Sequence, residues 1–300
     1  MNLLEESENI ILFNVENNGE NLEKFLLSCG LSGRLFRKLY REKNIFINGE
    51  FRRKSEQVKL GDIVSIVMED EKDNIVPEPI PLNIIYENMD LLVLNKEPFI
   101  VVHPTKSHQN GTLSNGIAYY FQKNGINKKI RLVNRLDMDT SGILIIAKSA
   151  FAHQSMASQF ENNEVDKKYM AVVSGVVKKD EDIIDLPVGR EEENSIRKAV
   201  TKEGKRAITK YKVIERYKNA TLLDVQIFTG RSHQIRVHLH HIGHPIIGDT
   251  LYYEPSQYIN RQALHSYYLK AKLPRVNEEI EFNANLPEDI VNLLEILKGE

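Results

Sequence analysis

A linker-like segment at residues 69–82 divides this chain into two parts. Its sequence, EDEKDNIVPEPIPL, combines acidic side chains with three prolines and follows neither the period of a helix nor that of a strand. Proline has no backbone N–H to contribute to a helix or sheet, so such a stretch is typical of a connection between domains. It predicts two units in the 300-residue chain, an N-terminal unit over residues 15–68 and a larger one over residues 83–295.

The N-terminal unit concentrates positive charge. Residues 31–60 contain nine basic and three acidic side chains, a net charge of +6, whereas the whole chain has 40 basic and 42 acidic residues. Apolar residues recur at helical spacing from Leu22 to Leu39, and Ser32 is placed to cap the second of two short helices. Residues 44–48 alternate like a strand, and Asn48 with Gly49 indicates a tight hairpin. We expect a small α+β unit with a basic face; a face that is merely solvated is the alternative.

The larger unit is rich in strand-like runs. These runs cover residues 91–95, 142–148, 169–177, 207–213 and 221–228, and helical segments lie near 111–122 and 153–162. Few of the runs have the spacing of strand–helix–strand units, which predicts a mainly antiparallel sheet with flanking helices. The fold class expected for the whole chain is therefore α+β.

The number of cysteines and the lengths of the apolar runs help to predict the cellular compartment. Cys29 is the single cysteine, so an internal disulfide is not possible. The first residues, MNLLEESENI, are acidic where a secretory signal would be basic, and no apolar run approaches the ~20 residues that a membrane span needs. We expect a cytoplasmic protein that does not insert into membranes.

Two segments carry unusual polar clusters. Residues 131–148, RLVNRLDMDTSGILIIAK, place Asp137 and Asp139 directly before an apolar strand. Residues 229–249, TGRSHQIRVHLHHIGHPIIGD, begin with a turn, and Ser232 could cap a helix that ends at Gly243. Each segment has an ordinary structural explanation, a capped turn in the first and a buried helix face in the second. Phosphate-binding, nucleophile-elbow and HExxH motifs are absent from the sequence.

Three arginines favour a functional explanation for the two segments together. Arg135 lies in the first segment, and Arg231 and Arg236 lie in the second. Guanidiniums and carboxylates in apolar surroundings suggest an ion pair placed for chemistry rather than for solvation.

The same segments resemble the motifs of a known enzyme family. RLDMDTSGILIIAK is similar to HRLDxxTSGLLLxAK, the central motif of the RluA-type pseudouridine synthases. TGRSHQIRVHLHHIGHPIIGD is similar to their second motif, TGRxHQIRxHxxxxGxPixGD, and the two occur in the family's order. Shorter matches extend the resemblance over residues 80–290. It implies an RNA uridine-to-pseudouridine isomerase.

The resemblance also implies roles for individual residues. The catalytic aspartate of the family falls on Asp137, the active-site tyrosine on Tyr169 and the ion-pairing arginine on Arg231. Arg135 falls on an arginine that contacts RNA near the flipped nucleotide. The chain departs from the family where Asn134 replaces a histidine, and where residues 96–99, KEPF, replace Lys-Pro-x-Gly.

The N-terminal unit resembles the RNA-binding domain typified by ribosomal small-subunit protein four. The order of GLSGRLFRKLY, IFINGE and KLGDIVSI along the chain carries this resemblance. In that family the second helix presents basic side chains to structured RNA, and the matching residues here are Arg34, Arg37, Lys38 and Arg41.

The expected activity needs no cofactor. Pseudouridine formation detaches uracil from its ribose and rejoins it through carbon, without redox change or net hydrolysis, so neither a nicotinamide nor a metal is required. Asp137 would act as a nucleophile or as a base toward the sugar. We expect a monomer that acts on RNA, with large-subunit rRNA as the first candidate and tRNA as the second, and that does not act on DNA.

Other functions remain open from the residues themselves. Asp137, Met138 and Asp139 form a DxD triplet such as metal-dependent glycosyltransferases use. Four histidines could form a zinc cluster, although the expectation is that they face solvent or RNA: His238, His240, His241 and His244. A non-catalytic RNA-binding module is the third alternative, and the presence of Asp137, Tyr169 and Arg231 together argues against it.

Overall fold

A computed structural model describes residues 5–71, 73–105 and 109–299. The first four residues, which belong to the acidic N-terminal segment, lie outside this part. A four-stranded sheet with strand order β1-β4-β2-β3 forms the N-terminal unit. Its elements are β1 (Ile10–Asn14), α1 (Leu22–Ser28), α2 (Gly33–Arg41), β2 (Ile45–Ile47), β3 (Glu50–Phe51) and β4 (Ile63–Val67).

Local signals in the N-terminal unit are confirmed. The Ser32 hydroxyl accepts a hydrogen bond from the backbone N–H of Leu35 at 3.2 Å and so caps α2. Asn48 and Gly49 have φ angles of 50° and 81° and form the turn between β2 and β3. Strand β1 was not predicted; it pairs with β4 from Ile10 to Asn14, so the sheet begins before residue 15.

A mainly antiparallel sheet of ten strands forms the larger unit, and the predicted α+β class is confirmed. The elements that follow β4 are β5 (Ile84–Glu87), β6 (Leu91–Lys96), α3 (Leu113–Lys123), β7 (Arg131–Leu132), β8 (Ser141–Ala147), α4 (Ala150–Glu161), β9 (Asp166–Ser174), β10 (Glu181–Asp185), β11 (Val188–Arg190), β12 (Lys198–Val200), β13 (Ile208–Arg216), β14 (Ala220–Ile227), α5 (Gln234–His241), β15 (Leu264–Lys272), β16 (Glu279–Asn283) and α6 (Glu288–Gly299). β11 and β12 form a separate pair. All five predicted strands and both predicted helices of this unit are present.

The start of α5 differs from the prediction. Ser232 does not cap this helix; His233 is the residue before its first turn, with a left-handed φ of 57° and no side-chain cap bond. Gln234, the first residue of α5, holds the turn at His233 through hydrogen bonds to the preceding loop. Its Oε1 accepts from the Thr229 hydroxyl at 2.7 Å and from Arg231 N–H at 3.1 Å.

Strand β15 was not predicted, yet it lies in the middle of the sheet. It runs antiparallel to β9 and parallel to β8, the one parallel pair among the described strands. At the crossing, Gly142 has a φ of +115°, and a Cβ placed there would lie 2.1 Å from Ser266 O. A side chain at Gly142 is therefore incompatible with the approach of β8 to β15.

Replacement of Gly142 by alanine should destabilise the fold severely. A contact of 2.1 Å with backbone requires the two strands to separate, and the left-handed φ adds strain, so we expect the free energy of unfolding to fall by about 3 kcal/mol or more. Chemical denaturation measures the loss. The matched control is Gly33→Ala in α2, where the new Cβ meets Arg37 Nη1 at 3.5 Å and the change should stay within about 1 kcal/mol. Equal stabilities of the two variants would contradict the tight crossing.

The N-terminal unit is attached to the larger unit by buried contacts. The ring of Phe151, from α4, is part of the hydrophobic core of the N-terminal unit. The Gln154 amide accepts from Ser32 N–H at 2.9 Å and donates to Gly30 O at 2.6 Å. The buried Arg275 guanidinium binds Asp90 at 2.9 Å and Ile10 O at 2.9 Å. The two units are therefore held in one arrangement.

The described residues of this segment, 69–71 and 73–82, contain neither helix nor strand, and they lie against the larger unit. The Asp73 carboxylate accepts from Ile130 N–H at 2.9 Å, and the Asn115 amide donates to Val76 O at 2.8 Å. These described residues have the irregular backbone expected of a linker, and they bind the larger unit at Asp73 and Val76. The boundaries 15–68, 69–82 and 83–295 stay a prediction.

Candidate active site

Asp137 lies in the loop between β7 and β8, at the floor of a cleft of about 830 Å³. The loop closes as a turn in which Thr140 N–H donates to Asp137 O at 3.1 Å. The Asp137 side chain remains 34% exposed. Tyr169, Arg135 and Arg231 line the same cleft, so the structure brings the predicted catalytic set together around one open space.

Two buried cations hold the backbone of this turn. Lys96 Nζ donates to Met138 O at 2.7 Å and to Glu97 O at 2.8 Å. Arg261 Nη1 donates to Asp139 O at 3.0 Å while the same guanidinium pairs with Asp289 of α6. Burial lowers the pKa of Lys96 to about 8, which reflects how little solvent reaches the ammonium. The two cations thus bind the consecutive carbonyls of Met138 and Asp139 on the buried side of the turn, and the Asp137 side chain faces the cleft.

Asn134 replaces the family's histidine and has a clear structural role. Its Nδ2 donates to Ile143 O at 3.0 Å, and its Oδ1 accepts from Ile145 N–H at 2.8 Å. Both partners belong to β8, so the amide ties the start of the loop to the strand at its end. The other departure places Phe99 at the family's glycine, where it adopts a left-handed φ of 62° and is 57% exposed.

The ion pair of Asp137 is formed by Arg236 and not by Arg231. Arg236 Nη1 lies 2.8 Å from Asp137 Oδ2, and its Nε and Nη2 lie 2.7 and 2.8 Å from the Asp249 carboxylate. Arg231 lies in the loop before α5, where its Nε donates to Arg206 O at 3.1 Å. The expected Arg231–Asp137 pair is therefore wrong, because α5 begins at Gln234 and only Arg236 projects from the helix toward the aspartate.

The Arg236 side chain is buried and contacts two carboxylates and an aromatic ring. It is 8% exposed, Asp249 is 1% exposed, and the ring of Tyr252 lies 5.0 Å from the guanidinium carbon. Two carboxylates and an aromatic face therefore surround one cation. The signal that could have indicated this pairing is that Arg236 and Asp249 both lie within residues 229–249.

His233 lies in the cleft, and the sequence analysis gave it no role although it is the histidine of the TGRxHQIR motif. Its Nε2 lies 3.8 Å from Asp137 Oδ2, and its Nδ1 is 2.8 Å from the Tyr252 hydroxyl. Burial lowers the pKa of His233, so the imidazole is neutral at neutral pH and does not add a positive charge beside Asp137. Lys167, which lies 5.2 Å from the Phe160 ring centroid, also lines the cleft and was not predicted.

Tyr169 projects from β9 into the cleft and is 9% exposed. Burial raises the pKa of its phenol to about 12, although a hydrogen bond with Ser266 opposes the shift. The hydroxyl therefore stays protonated at neutral pH. In that state it can donate a proton or a hydrogen bond, and its ring can stack on a planar base.

Of the four histidines expected to face solvent or RNA, His240 and His241 are exposed and His244 is half-buried. His238 is buried, with Nε2 donating to Leu186 O at 3.0 Å and Nδ1 lying 2.9 Å from the Thr209 hydroxyl. That expectation is wrong for His238, because it lies on the helix face that packs on the sheet. Within residues 5–71, 73–105 and 109–299, no three potential metal-ligating side chains cluster.

The basic residues of α2 share one exposed face. Arg34, Arg37, Lys38 and Arg41 follow a spacing of three and four residues, and all are exposed. The buried side of the helix is formed by Leu35, Phe36 and Leu39.

An aspartate–arginine pair and a buried tyrosine line one open cleft on a mainly antiparallel sheet, an arrangement typical of an enzyme active site. Residues 90–241 match the family described as RNA pseudouridylate synthase. The chain is 40% identical over 291 residues to an uncharacterized RNA pseudouridine synthase, YlyB, of Bacillus subtilis, covering 94% of this chain and 96% of that protein. It is 35% identical to ribosomal large subunit pseudouridine synthase D of Pasteurella multocida, over 80% and 78% of the two chains.

Among solved structures, human RNA pseudouridylate synthase domain containing 4 shares the fold, with a TM-score of 0.61 and 24% identity, covering 72% of this chain and 93% of that one. The chain belongs to the RNA pseudouridine synthase family, and it is an isomerase that acts on RNA uridine. The family expected from the sequence motifs is confirmed. No helix in the described ranges is long and apolar enough to cross a bilayer.

Proposed function

We propose that the chain isomerises specific uridines of structured RNA through Asp137, without a cofactor. One observation carries the proposal: the Asp137 carboxylate faces an open cleft, where it is paired with Arg236 at 2.8 Å. Tyr169 lines the same cleft. Large-subunit rRNA is the first candidate substrate, because several relatives at 34–38% identity are named ribosomal large subunit pseudouridine synthase D. tRNA is the second.

The reaction breaks the bond between uracil N1 and the ribose and forms a bond from C5 to the same carbon. The proton on C5 is lost and N1 gains one, so atoms and electrons balance within the nucleotide. Asp137 acts on the sugar side, as nucleophile or base, and both roles need its carboxylate at a fixed position. Arg236 fixes that position and offsets the negative charge.

The target uridine must leave its stack before Asp137 can reach the glycosidic bond, and this flip costs a few kcal/mol. The exposed Arg135 guanidinium at the rim of the cleft can stack in place of the base or bind a phosphate. Tyr169 offers its ring to the flipped uracil and its protonated hydroxyl for proton transfer. The exposed cations of α2 supply phosphate binding that does not depend on sequence.

Tyr169→Phe should lower turnover by about a hundredfold with little change in RNA affinity, since the ring is kept and only the hydroxyl is lost. Because the phenol pKa is about 12, Tyr169 remains protonated over the working range, and loss of its proton cannot cause an alkaline decline below about pH 10. The pH profiles of wild type and variant, measured by tritium release from C5-labelled uridine in RNA, should therefore have the same shape. An alkaline decline that disappears in the variant would contradict this role.

Comparison of pseudouridine maps tests the proposed function. Large-subunit rRNA and tRNA are mapped from cells with the gene, without it, and with it restored on a plasmid. We expect one or more pseudouridines to disappear and to return on complementation. Unchanged maps for both RNA classes would overturn the choice of substrate. We also propose that the enzyme acts as a cytoplasmic monomer on RNA and not on DNA; a dimer in size-exclusion chromatography with light scattering would contradict the monomer.

A further inference from the structure

A groove of about 600 Å³ separates α2 from α4. One face of α4 forms its floor, and the residues of this face recur at intervals of three and four positions: Ala150, His153, Gln154, Ala157, Ser158 and Glu161. Most are small or uncharged. The opposite wall carries Arg34 and Lys38 of α2.

The groove leads into the cleft of Asp137. Glu161, at the end of α4, lines both the groove and the cleft. At the other side, His153 is shared with an open pocket of about 510 Å³ that also contains Lys129 and Arg131. The three spaces therefore adjoin along α4, whose 12 residues extend about 17 Å, the length of about five stacked nucleotides.

The charge of this surface suits a polyanion. Arg34, Lys38, Lys129 and Arg131 are its cations, against Glu71 and Glu161. Glu71 is engaged by Lys38 at 3.5 Å and by Arg131. Arg34 and Lys129 are exposed, and neither forms a salt bridge with another residue in the described part of the chain. Ala157, between the two ends, leaves room for a sugar–phosphate backbone to approach the helix closely.

We infer that the backbone of the substrate RNA follows the α4 face, from the cations of α2 to the cleft of Asp137. This inference rests on the proposed function. Because Phe151 and Gln154 of α4 also attach the N-terminal unit, the same helix is both the floor of the groove and the fixed spacer between α2 and Asp137. The uridine that is modified lies at a set distance along the RNA from the part held by α2.

Ala157→Glu tests the inference in the full-length enzyme. A carboxylate in the middle of the groove would repel the phosphates, and we expect KM for an in vitro large-subunit rRNA transcript to rise about tenfold at low salt. Ala157→Gln matches its size without the charge and should raise KM much less. Asn292→Glu places the same charge on an exposed site of α6, which lines none of these spaces, and should leave both KM and kcat unchanged.

Tritium release from C5-labelled uridine gives KM and kcat, and thermal unfolding shows that each variant is folded. If the wild type releases tritium and Ala157→Glu has the same KM as Ala157→Gln, the RNA does not follow α4 and the inference is wrong. If the wild type releases none from either rRNA or tRNA, the proposed function fails first. A rise in KM for Ala157→Glu that shrinks as salt is added supports the groove, because screening weakens the repulsion.

Discussion

Asp137→Asn should lower the single-turnover rate on bound RNA by at least about a thousandfold. The amide keeps the shape of the side chain, and its oxygen can still accept from Arg236, but it can act neither as a nucleophile nor as a base. RNA affinity should change little, because the cations of α2 and the exposed Arg135 are untouched. Tritium release with enzyme in excess over RNA measures the rate, and filter binding measures the affinity.

Asp139→Asn is the matched control, since it makes the same change two residues along the same turn. Asp139 contributes its backbone carbonyl to Arg261 at 3.0 Å, and that contact survives the substitution. We therefore expect Asp139→Asn to keep most of its turnover. A variant at Asp137 that retains turnover, or equal losses at the two positions, would show that Asp137 does not carry the chemistry.

Arg236→Lys should slow the bound-RNA step by about a hundredfold. The lysine keeps the charge, but an ammonium cannot reproduce the planar arrangement that contacts Asp137 and Asp249 together. Complete removal of the charge would leave the 1%-exposed Asp249 unpaired, at a cost of about 3–5 kcal/mol in stability, so Arg236→Ala tests folding more than catalysis. Arg236→Lys keeps the positive charge and therefore tests only how precisely the Asp137 carboxylate is positioned.

Arg231→Ala provides the contrast. Arg231 is exposed at the cleft, and among the described residues its side chain donates a hydrogen bond only to a backbone carbonyl, Arg206 O. Its loss should weaken RNA binding and leave the rate on bound RNA within about threefold of wild type. The opposite outcome, a slow step in Arg231→Ala and a normal one in Arg236→Lys, would restore the role that the sequence motif suggested for Arg231.

Elements with local physical causes were predictable. Ser32 caps α2 because its hydroxyl accepts from the backbone N–H three residues later. Asn48 and Gly49 tolerate the left-handed backbone of the turn between β2 and β3. Residues 143–147 of β8 are all apolar, as expected of a strand buried on both faces. Such features depend on neighbours in the sequence and can be identified without a structure.

Elements that depend on distant partners were not predictable. β1 is short and finds its partner β4 about fifty residues later, and β15 joins the sheet between β8 and β9. The braces of the active-site turn come from Lys96 and Arg261, which lie far from Asp137 in the sequence. Nothing in the local pattern indicates that these cations bind carbonyls of the turn.

The amino-acid sequence was sufficient to predict the family, the α+β class, the place of Asp137 in the chain and the three arginines among which its partner is found. That the partner is Arg236 follows from the folded chain: His233 has a left-handed backbone and α5 begins at Gln234, so Arg236 reaches Asp137 and Arg231 stays in the loop. Folding also places α2 and the cleft beside the same face of α4. Motifs record which side chains are needed, whereas their distances follow from packing between segments far apart in the chain.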